Sequence, residues 1–278
     1  MVVDLHTHTT ASDGAVSPEE LVKLALTAGL HAIAVTDHDT VGGLAAAEEA
    51  AAKLPIKVIP GIEISTDWQD EEIHALGYFI DYNCQKLQKV LDILAEERFQ
   101  RGKKMVSKLR RIGILISWAR VQHLAKEGVV GRPHVAQAML EEGYVGNISE
   151  AFRKYLSKGQ VGYVCRMKLT PAEAVKLIRD AGGVPVLAHP GLLRNHHKLG
   201  EIISKGFQGI EVYYPQHDSE QVRLYLTLAQ QYGLVVTGGS DFHGASRAKN
   251  KLAASTVANK VVSDLVKIRE ETKHGNCK

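Results

Sequence analysis

At 278 residues, 45% hydrophobic and 23% charged, the chain has the apolar content of a globular protein with a full core, which excludes a disordered or fibrous chain. No apolar run approaches the ~20 residues that cross a bilayer, and a strand-like run starting at residue 2 leaves no room for a signal peptide. Net charge is only +3, and the three cysteines, Cys84, Cys165 and Cys277, are too scattered for a disulfide framework or a CxxC metal site, so a reducing, cytoplasmic setting without membrane contact is expected.

The chain opens with VVDLHTHTTASDG. The apolar run 2–5 reads as a strand, and His6 and His8 extend it at spacing two, which puts both imidazoles on one side. Asp13 follows in a short polar loop. Ser17-Pro18-Glu19-Glu20 reads as a capping box with Pro at the first helical position, and Gly29 closes that helix. A second strand, 32–36, leads into Asp37, His38 and Asp39. Residues 41–53 read as helical, largely on their Ala content. A strand at 56–60 runs toward Glu63, and another at 73–80 carries His74 inside its apolar run.

From about 84 to 168 the pattern is interrupted. Leu87, Leu91 and Leu94 sit at helical spacing, and basic residues dominate from Arg98 to Arg111. Between Arg98 and Lys168 there are 15 Lys or Arg against 4 Asp or Glu, so the rest of the chain must be net acidic. That asymmetry fits a basic segment facing an acidic body and favours a polyanionic substrate; a solvated helical face is the plainer alternative. The alternation then resumes. Thr170-Pro171-Ala172-Glu173 repeats the capping device, and strands at 184–188, 208–213 and 234–238 deliver His189, then Asp241 and His243, with a helix over 218–232. Strands alternating with helices predict a mostly parallel sheet, and seven strands fit a β/α barrel better than an open sheet. The expected organisation is a barrel from 1–83 and 169–278 with a mainly helical basic insertion over 84–168.

In such barrels the C-terminal strand ends converge on one face. Each acid or histidine there has a plain explanation by itself: a helix cap, a turn, a satisfied core histidine. Six histidines and three acids (His6, His8, Asp13, His38, Glu63, His74, His189, Asp241 and His243), nearly all at strand ends, point together to a metal centre. Imidazole and carboxylate suit manganese, iron and zinc, and the lack of thiolate argues against a structural zinc site. Such ions attract phosphate and bring a bound water near its neutral-pH deprotonation, supplying hydroxide as nucleophile. No GxSxG or P-loop offers another route. Asp4 shares the parity of His6 and His8. It either orients a ligand imidazole or is a buried acid satisfied by backbone, and Asp37 has the same two readings.

The motifs HTHTTASDG, VTDHD, GIE, the later His74, LAHPG and GGSDFHG resemble those of the polymerase and histidinol phosphatase (PHP) superfamily. The likeness covers nearly the whole chain outside the insertion. Gly131-Arg132-Pro133-His134 within the insertion is similar to the RNase AM group of that superfamily. The resemblance implies a distorted seven-stranded β/α (TIM-like) barrel and three divalent ions (Mn, Fe or Zn). It implies one ion held by His6, His8, Glu63 and Asp241, a second by Glu63, His74 and His189, and a third by Asp13, His38 and His243.

The same resemblance makes Arg132 and His134 substrate-binding, Arg132 by a bidentate phosphate grip; read alone, GRPH is a helix-start turn. Arg194 is a further candidate for that pocket. The implied activity is hydrolysis of 3′,5′-nucleoside bisphosphates or 5′→3′ exonucleolytic attack on 5′-phosphorylated RNA, with no obligate protein partner. The alternatives are a histidinol-phosphate-type phosphatase, which shares the metals but has no need of the basic insertion, and a non-catalytic metal-bound nucleic-acid-binding module. The run Arg101 to Arg111 is expected to track an RNA backbone. His196, His197 and His217 are expected at the surface or in loops.

Overall fold

A computed structural model describes residues 1–125, 128–165, 169–244 and 250–275. Cys277 and the last three residues of the expected insertion, 166–168, lie outside this set. Eight strands form one sheet: β1 (Val2–Thr7), β2 (Ala32–Val35), β3 (Lys57–Trp68), β4 (Glu71–Tyr78), β5 (Val184–Leu187), β6 (Gly209–Tyr213), β7 (Val235–Gly238) and the short β8 (Val257–Ala258). Their order is β7-β6-β5-β4-β3-β2-β1-β8. The sheet curls nearly shut, because the segment after β7 meets the end of β1: His8 N–H donates to Phe242 O at 2.9 Å, and Ala15 N–H to His243 O at 2.9 Å.

The helices are α1 (Pro18–Thr27), α2 (Leu44–Ala51), α3 (Gln85–Arg111), α4 (Trp118–Ala125), α5 (Arg132–Glu141), α6 (Ile148–Ala151), α7 (Pro171–Asp180), α8 (Leu199–Ile203), α9 (Ser219–Tyr232) and α10 (Lys260–Gly275). Thr170 caps α7 with the full reciprocal box, whereas at α1 Ser17 accepts from Glu20 N–H at 3.2 Å. An apolar shell joins α1, α2, α7 and α9 to the outer faces of the strands, with Leu21, Val22, Ile33, Ile62, Ile178 and Tyr225 fully buried. A second cluster, including Leu5, Ile59, Leu76, Tyr78 and Val186, fills the other side of the strands.

Besides the short β8, which adds an eighth strand to the seven expected, two features differ from the sequence reading. β3 does not stop near residue 60 but continues to Trp68, so Glu63 lies in mid-strand rather than at a strand end. And β4 runs antiparallel to both β3 and β5, breaking the parallel order expected of the sheet. The cause is a two-residue turn in which Gln69 and Asp70 both have positive φ, 48° and 69°. That is the geometry matching the twist of a tight hairpin, ordinarily signalled by Asn-Gly or Asp-Gly; Gln-Asp gives no such signal. The hairpin places His74 beside Ser65, one row beyond Glu63.

Between β4 and β5 the chain builds α3 to α6, a π-helical turn at Phe152–Leu156, and a separate apolar cluster centred on Met105, Leu109, Val121, Val135 and Met139. On α3, Arg98 and Arg101 turn inward with Met105, whereas Lys103, Lys104, Lys108, Arg110 and Arg111 are exposed. The charge asymmetry is realised as pairs across the junction: Arg98 with Asp39, Arg132 with Glu72, and Lys158 with Asp70.

Barrel closure brings Gly239 against β1. A Cβ on Gly239 would stand 2.4 Å from both the Cβ and the backbone nitrogen of His6, a distance only strand displacement can relieve. Gly239→Ala is therefore expected to destabilise the metal-free protein by about 1–3 kcal/mol. A urea midpoint equal to that of the unsubstituted protein would disprove the close approach.

Candidate metal centre

All nine expected side chains converge at one end of the barrel. Glu63 is their hub. Its Oε2 lies 3.3 Å from His6 Nε2, 3.3 Å from His8 Nε2 and 3.0 Å from His38 Nδ1. Its Oε1 lies 2.7 Å from His74 Nδ1 and 2.9 Å from His189 Nε2. Asp241 Oδ1 stands 3.2 Å from His8 Nε2 and 3.6 Å from His6 Nε2. Asp13 Oδ1 is 3.2 Å from His243 Nε2 and 3.9 Å from His38 Nε2.

Three groupings have ligand atoms close enough to share a cation: His6, His8, Glu63 and Asp241; His8, Asp13, His38 and His243; and His38, Glu63 and His74. The first matches expectation. In the second His8 joins the expected trio, because its ring stacks on His243 at 4.0 Å. In the third His38 stands where His189 was expected beside Glu63 and His74, while His189 Nε2 meets Glu63 Oε1, the same oxygen as His74 Nδ1.

The donor set fits divalent metal. His6 Nε2, both ring nitrogens of His8, His38 Nδ1, Glu63 Oε2 and His243 Nε2 are buried and make no hydrogen bond. Apart from His8 Nδ1, they stand at ion-pair distance from a carboxylate or imidazole of the cluster without the alignment of a hydrogen bond, as atoms do when they aim at a common point between them. A cluster of buried polar atoms left this way is costly unless a cation satisfies it.

The surroundings fix which atom of each ligand faces that point. His243 Nδ1 donates to Asp241 O at 2.8 Å, leaving Nε2 inward. Tyr214 Oη and Asn250 Nδ2 donate to Asp241 Oδ2 at 3.0 and 3.2 Å, leaving Oδ1 inward. His189 and Asp241 have φ of 24° and 52°, conformations L residues rarely adopt and which concentrate at functional sites. Asp37 does not face the centre. It accepts from Thr9 N–H at 2.8 Å, Thr9 Oγ1 at 2.7 Å and Ser12 Oγ at 2.5 Å, tying down the loop that carries Asp13. Asp4 is a buried acid satisfied by backbone, accepting from Ser240 N–H at 2.8 Å and Ala253 N–H at 3.0 Å. Burial raises its pKa to about 6. The carboxylate outside the nine that braces a ligand imidazole is instead Glu211, 3.0 Å from His6 Nδ1, which sequence reading did not single out.

Electrostatics follow the crowding. Burial alone would depress His8 and His74, but the carboxylates around them, Glu63 with Asp241 for His8 and Glu63 with Glu72 for His74, raise both to about 9. Burial would raise Glu63, yet His38, His74 and His6 hold it well below the carboxylate range. Both imidazoles are thus protonated in the metal-free protein between pH 6.5 and 9, and a metal must displace those protons. Metal affinity is expected to rise with pH across this window and level off above about 9. A chelator-competition titration giving equal affinity at pH 6.5 and 8.5 would contradict this.

A hollow of about 210 Å³ opens over the ligands and is lined by Asp13, His38 and His74 on the barrel side and by Arg98, Arg101 and Arg132 on the insertion side. Gly131-Arg132-Pro133-His134 does start a helix, α5, with His134 Nδ1 accepting from Gly131 N–H at 3.0 Å. So His134 uses Nδ1 in capping, while Arg132 reaches the hollow, bonded to Glu72 at 3.0 Å. Arg194 lines an adjoining hollow with Lys158 and Tyr163, and the two share Arg132 and Glu72. His217 braces the segment after His189, its Nε2 accepting from Gly191 N–H at 3.1 Å. Arg98, also missed in the sequence, is buried and tied to Asp39; its helical phase with Leu91 and Leu94 was the available signal.

Barrel and site together define a metal-dependent phosphoesterase. The chain belongs to the PHP-domain family, whose model matches residues 4–182. It is 36% identical over 250 residues to the 5′-3′ exoribonuclease Rnm of Escherichia coli, covering 87% of this chain and 85% of that one. It is 34% identical over 247 residues to a 3′,5′-nucleoside bisphosphate phosphatase of Chromobacterium violaceum, covering 87% of each. A protein from Bifidobacterium adolescentis, described as a metal-dependent phosphoesterase, superimposes with a TM-score of 0.89 at 32% identity over 96% of both chains. Among the described residues no helix is long and apolar enough to cross a membrane.

Proposed function

We propose that this chain hydrolyses nucleotide phosphoesters, removing phosphate from 3′,5′-nucleoside bisphosphates or mononucleotides from 5′-phosphorylated RNA, with three divalent ions (Mn, Fe or Zn) held by His6, His8, Asp13, His38, Glu63, His74, His189, Asp241 and His243. The observation that carries this reading is the hollow lined by three of those ligands on one side and by three arginines on the other. The bound ions would supply an activated water and neutralise charge developing on phosphorus oxygens.

The chain's own residues do the rest. Arg98, Arg101 and Arg132 bind the phosphate bound for hydrolysis and fix it against the ligand cluster. The adjoining hollow, with Arg194 and Lys158, receives the remainder of the nucleotide. The inward face of the basic insertion, rather than its exposed run from Lys103 to Arg111, makes the substrate contact. We assign the barrel to 1–83 and 169–278, the insertion to 84–168, and the enzyme to the cytoplasm.

Relatives of similar identity carrying exoribonuclease and bisphosphate phosphatase names support both substrate types. Metal-loaded protein should release phosphate from adenosine 3′,5′-bisphosphate and mononucleotides from 5′-monophosphorylated oligoribonucleotides, resolved by chromatography. Vigorous histidinol phosphate turnover with neither of these products would overturn the substrate assignment.

A further inference from the structure

We propose that Glu211 is a positioning residue that locks together two of the ligand groups, those of His6 and of His189; this rests on the metal reading above. Glu211 sits in mid-β6, fully buried, between Ile210 and Val212. Those neighbours face the outer apolar shell, so alternation along the strand turns Glu211 to the inside of the barrel. There its two oxygens reach two partners, with His6 Nδ1 nearer to Oε1 than to Oε2, which stands 3.3 Å from it. Oε1 lies 3.0 Å from His6 Nδ1. Oε2 accepts from the backbone N–H of His189 at 2.7 Å.

Each contact has a specific consequence. A carboxylate only accepts, so the His6 bond places the proton on Nδ1 and leaves Nε2, the atom facing Glu63 and Asp241, bare for a cation. The second bond grips His189 where its φ is 24°, a strained conformation that persists only where the surroundings impose it. It is this kink that carries the His189 ring to Glu63 Oε1 at 2.9 Å. One carboxylate therefore sets the tautomer in the first group and the backbone in another, while the group of Asp13, His38 and His243 lies outside its reach. His6 and His189 stack with ring centres 5.6 Å apart, so the side chains it controls are neighbours.

Two substitutions separate the contacts. In Glu211→Gln the amide oxygen keeps the short bond to His189 N–H, and the amide nitrogen then faces His6 Nδ1. Two donors meet unless His6 moves its proton to Nε2, where it blocks the cation. Glu211→Ala loses both contacts. Metal-free proteins are titrated with zinc against a chromogenic chelator, and bound zinc is counted after gel filtration. The unsubstituted protein should retain three ions. Glu211→Gln should bind one of them roughly 10–100-fold more weakly, and Glu211→Ala two, while the third ion stays at full affinity.

Equal counts and affinities in all three proteins would overturn the proposal. Uptake of no ion by the unsubstituted protein would instead refute the metal reading. Hydrogen exchange of the His189 amide in the metal-free proteins then decides the role of Glu211 independently. Faster exchange in Glu211→Ala with no change in Glu211→Gln supports it, and no change in either overturns it.

Discussion

Glu63→Gln is expected to lower phosphoester hydrolysis by more than about 1000-fold, equivalent to about 4 kcal/mol of lost transition-state stabilisation, while leaving a folded barrel. The substitution is isosteric, and Glu63 makes its contacts with side chains of the centre rather than with the apolar shell. Five imidazoles approach its two oxygens within 3.3 Å. No other acid here meets more than three, so no other single change touches as many ligand groups. Gln replaces one acceptor oxygen with a donor nitrogen and removes the charge that offsets five basic rings. The expected metal count falls well below that of the unsubstituted protein, and the pKa values of His8 and His74, raised by this carboxylate, fall back toward 6.5.

That last effect has a sign. In the metal-free protein the folded-state pKa of these two histidines lies above the unfolded value, so their protonation adds stability that is full below about 6.5 and is lost as pH rises through about 9. Glu63→Gln should weaken that dependence, leaving the part that Asp241 and Glu72 sustain. Thermal melts of metal-free protein across pH 6 to 9.5 would check it. Full activity with full metal content in Glu63→Gln would contradict the hub role.

The ligands were legible because they are dense and sit at strand ends. His6 and His8 at spacing two, and Asp241 and His243 at spacing two, show their common direction without any structure. The residues that orient them were not legible. Glu211 is a single acid in an apolar strand, and nothing in its neighbourhood says that its partner is 205 residues away. Asp4 shares strand parity with His6 and so suits that task on sequence, but its carboxylate bonds backbone at Ser240 and Ala253 instead. Parity gives the side of a strand and not the partner across the barrel. The hairpin at Gln69–Asp70 escaped for a related reason: its left-handed residues are imposed by the β3–β4 ladder rather than chosen by local preference. On α3 the basic run read as one block, yet a helix divides such a run between its faces, and only the Leu87-Leu91-Leu94 phase shows that Arg98 and Arg101 belong to the inner one.

Arg98 gives the second large effect, because two roles meet in one guanidinium. Its Nε donates to Asp39 Oδ2 at 2.9 Å, and its Nη2 bonds the same oxygen and Ser65 Oγ. Asp39 is buried, holds Ser65 N–H at 2.9 Å and adopts φ of 52° directly after His38. The pair therefore joins the insertion to the loop that carries His38, while Arg98 also lines the hollow over the ligands.

Arg98→Ala strips a buried carboxylate of its cation, which is expected to destabilise the fold by about 3–5 kcal/mol, and it removes a phosphate donor. Adding Asp39→Asn separates these roles. Asn keeps an acceptor for Ser65 N–H, tolerates positive φ and needs no counter-charge, so the double variant should recover most of the stability measured by urea unfolding. Its activity should not recover, because the donor is still missing. Arg98→Lys should stay folded through its ion pair but lose the planar two-edged grip, raising KM for bisphosphate about 10-fold (about 1.4 kcal/mol) with a smaller effect on kcat. Recovery of activity together with stability in the double variant would show that Arg98 only braces His38 and does not touch the substrate.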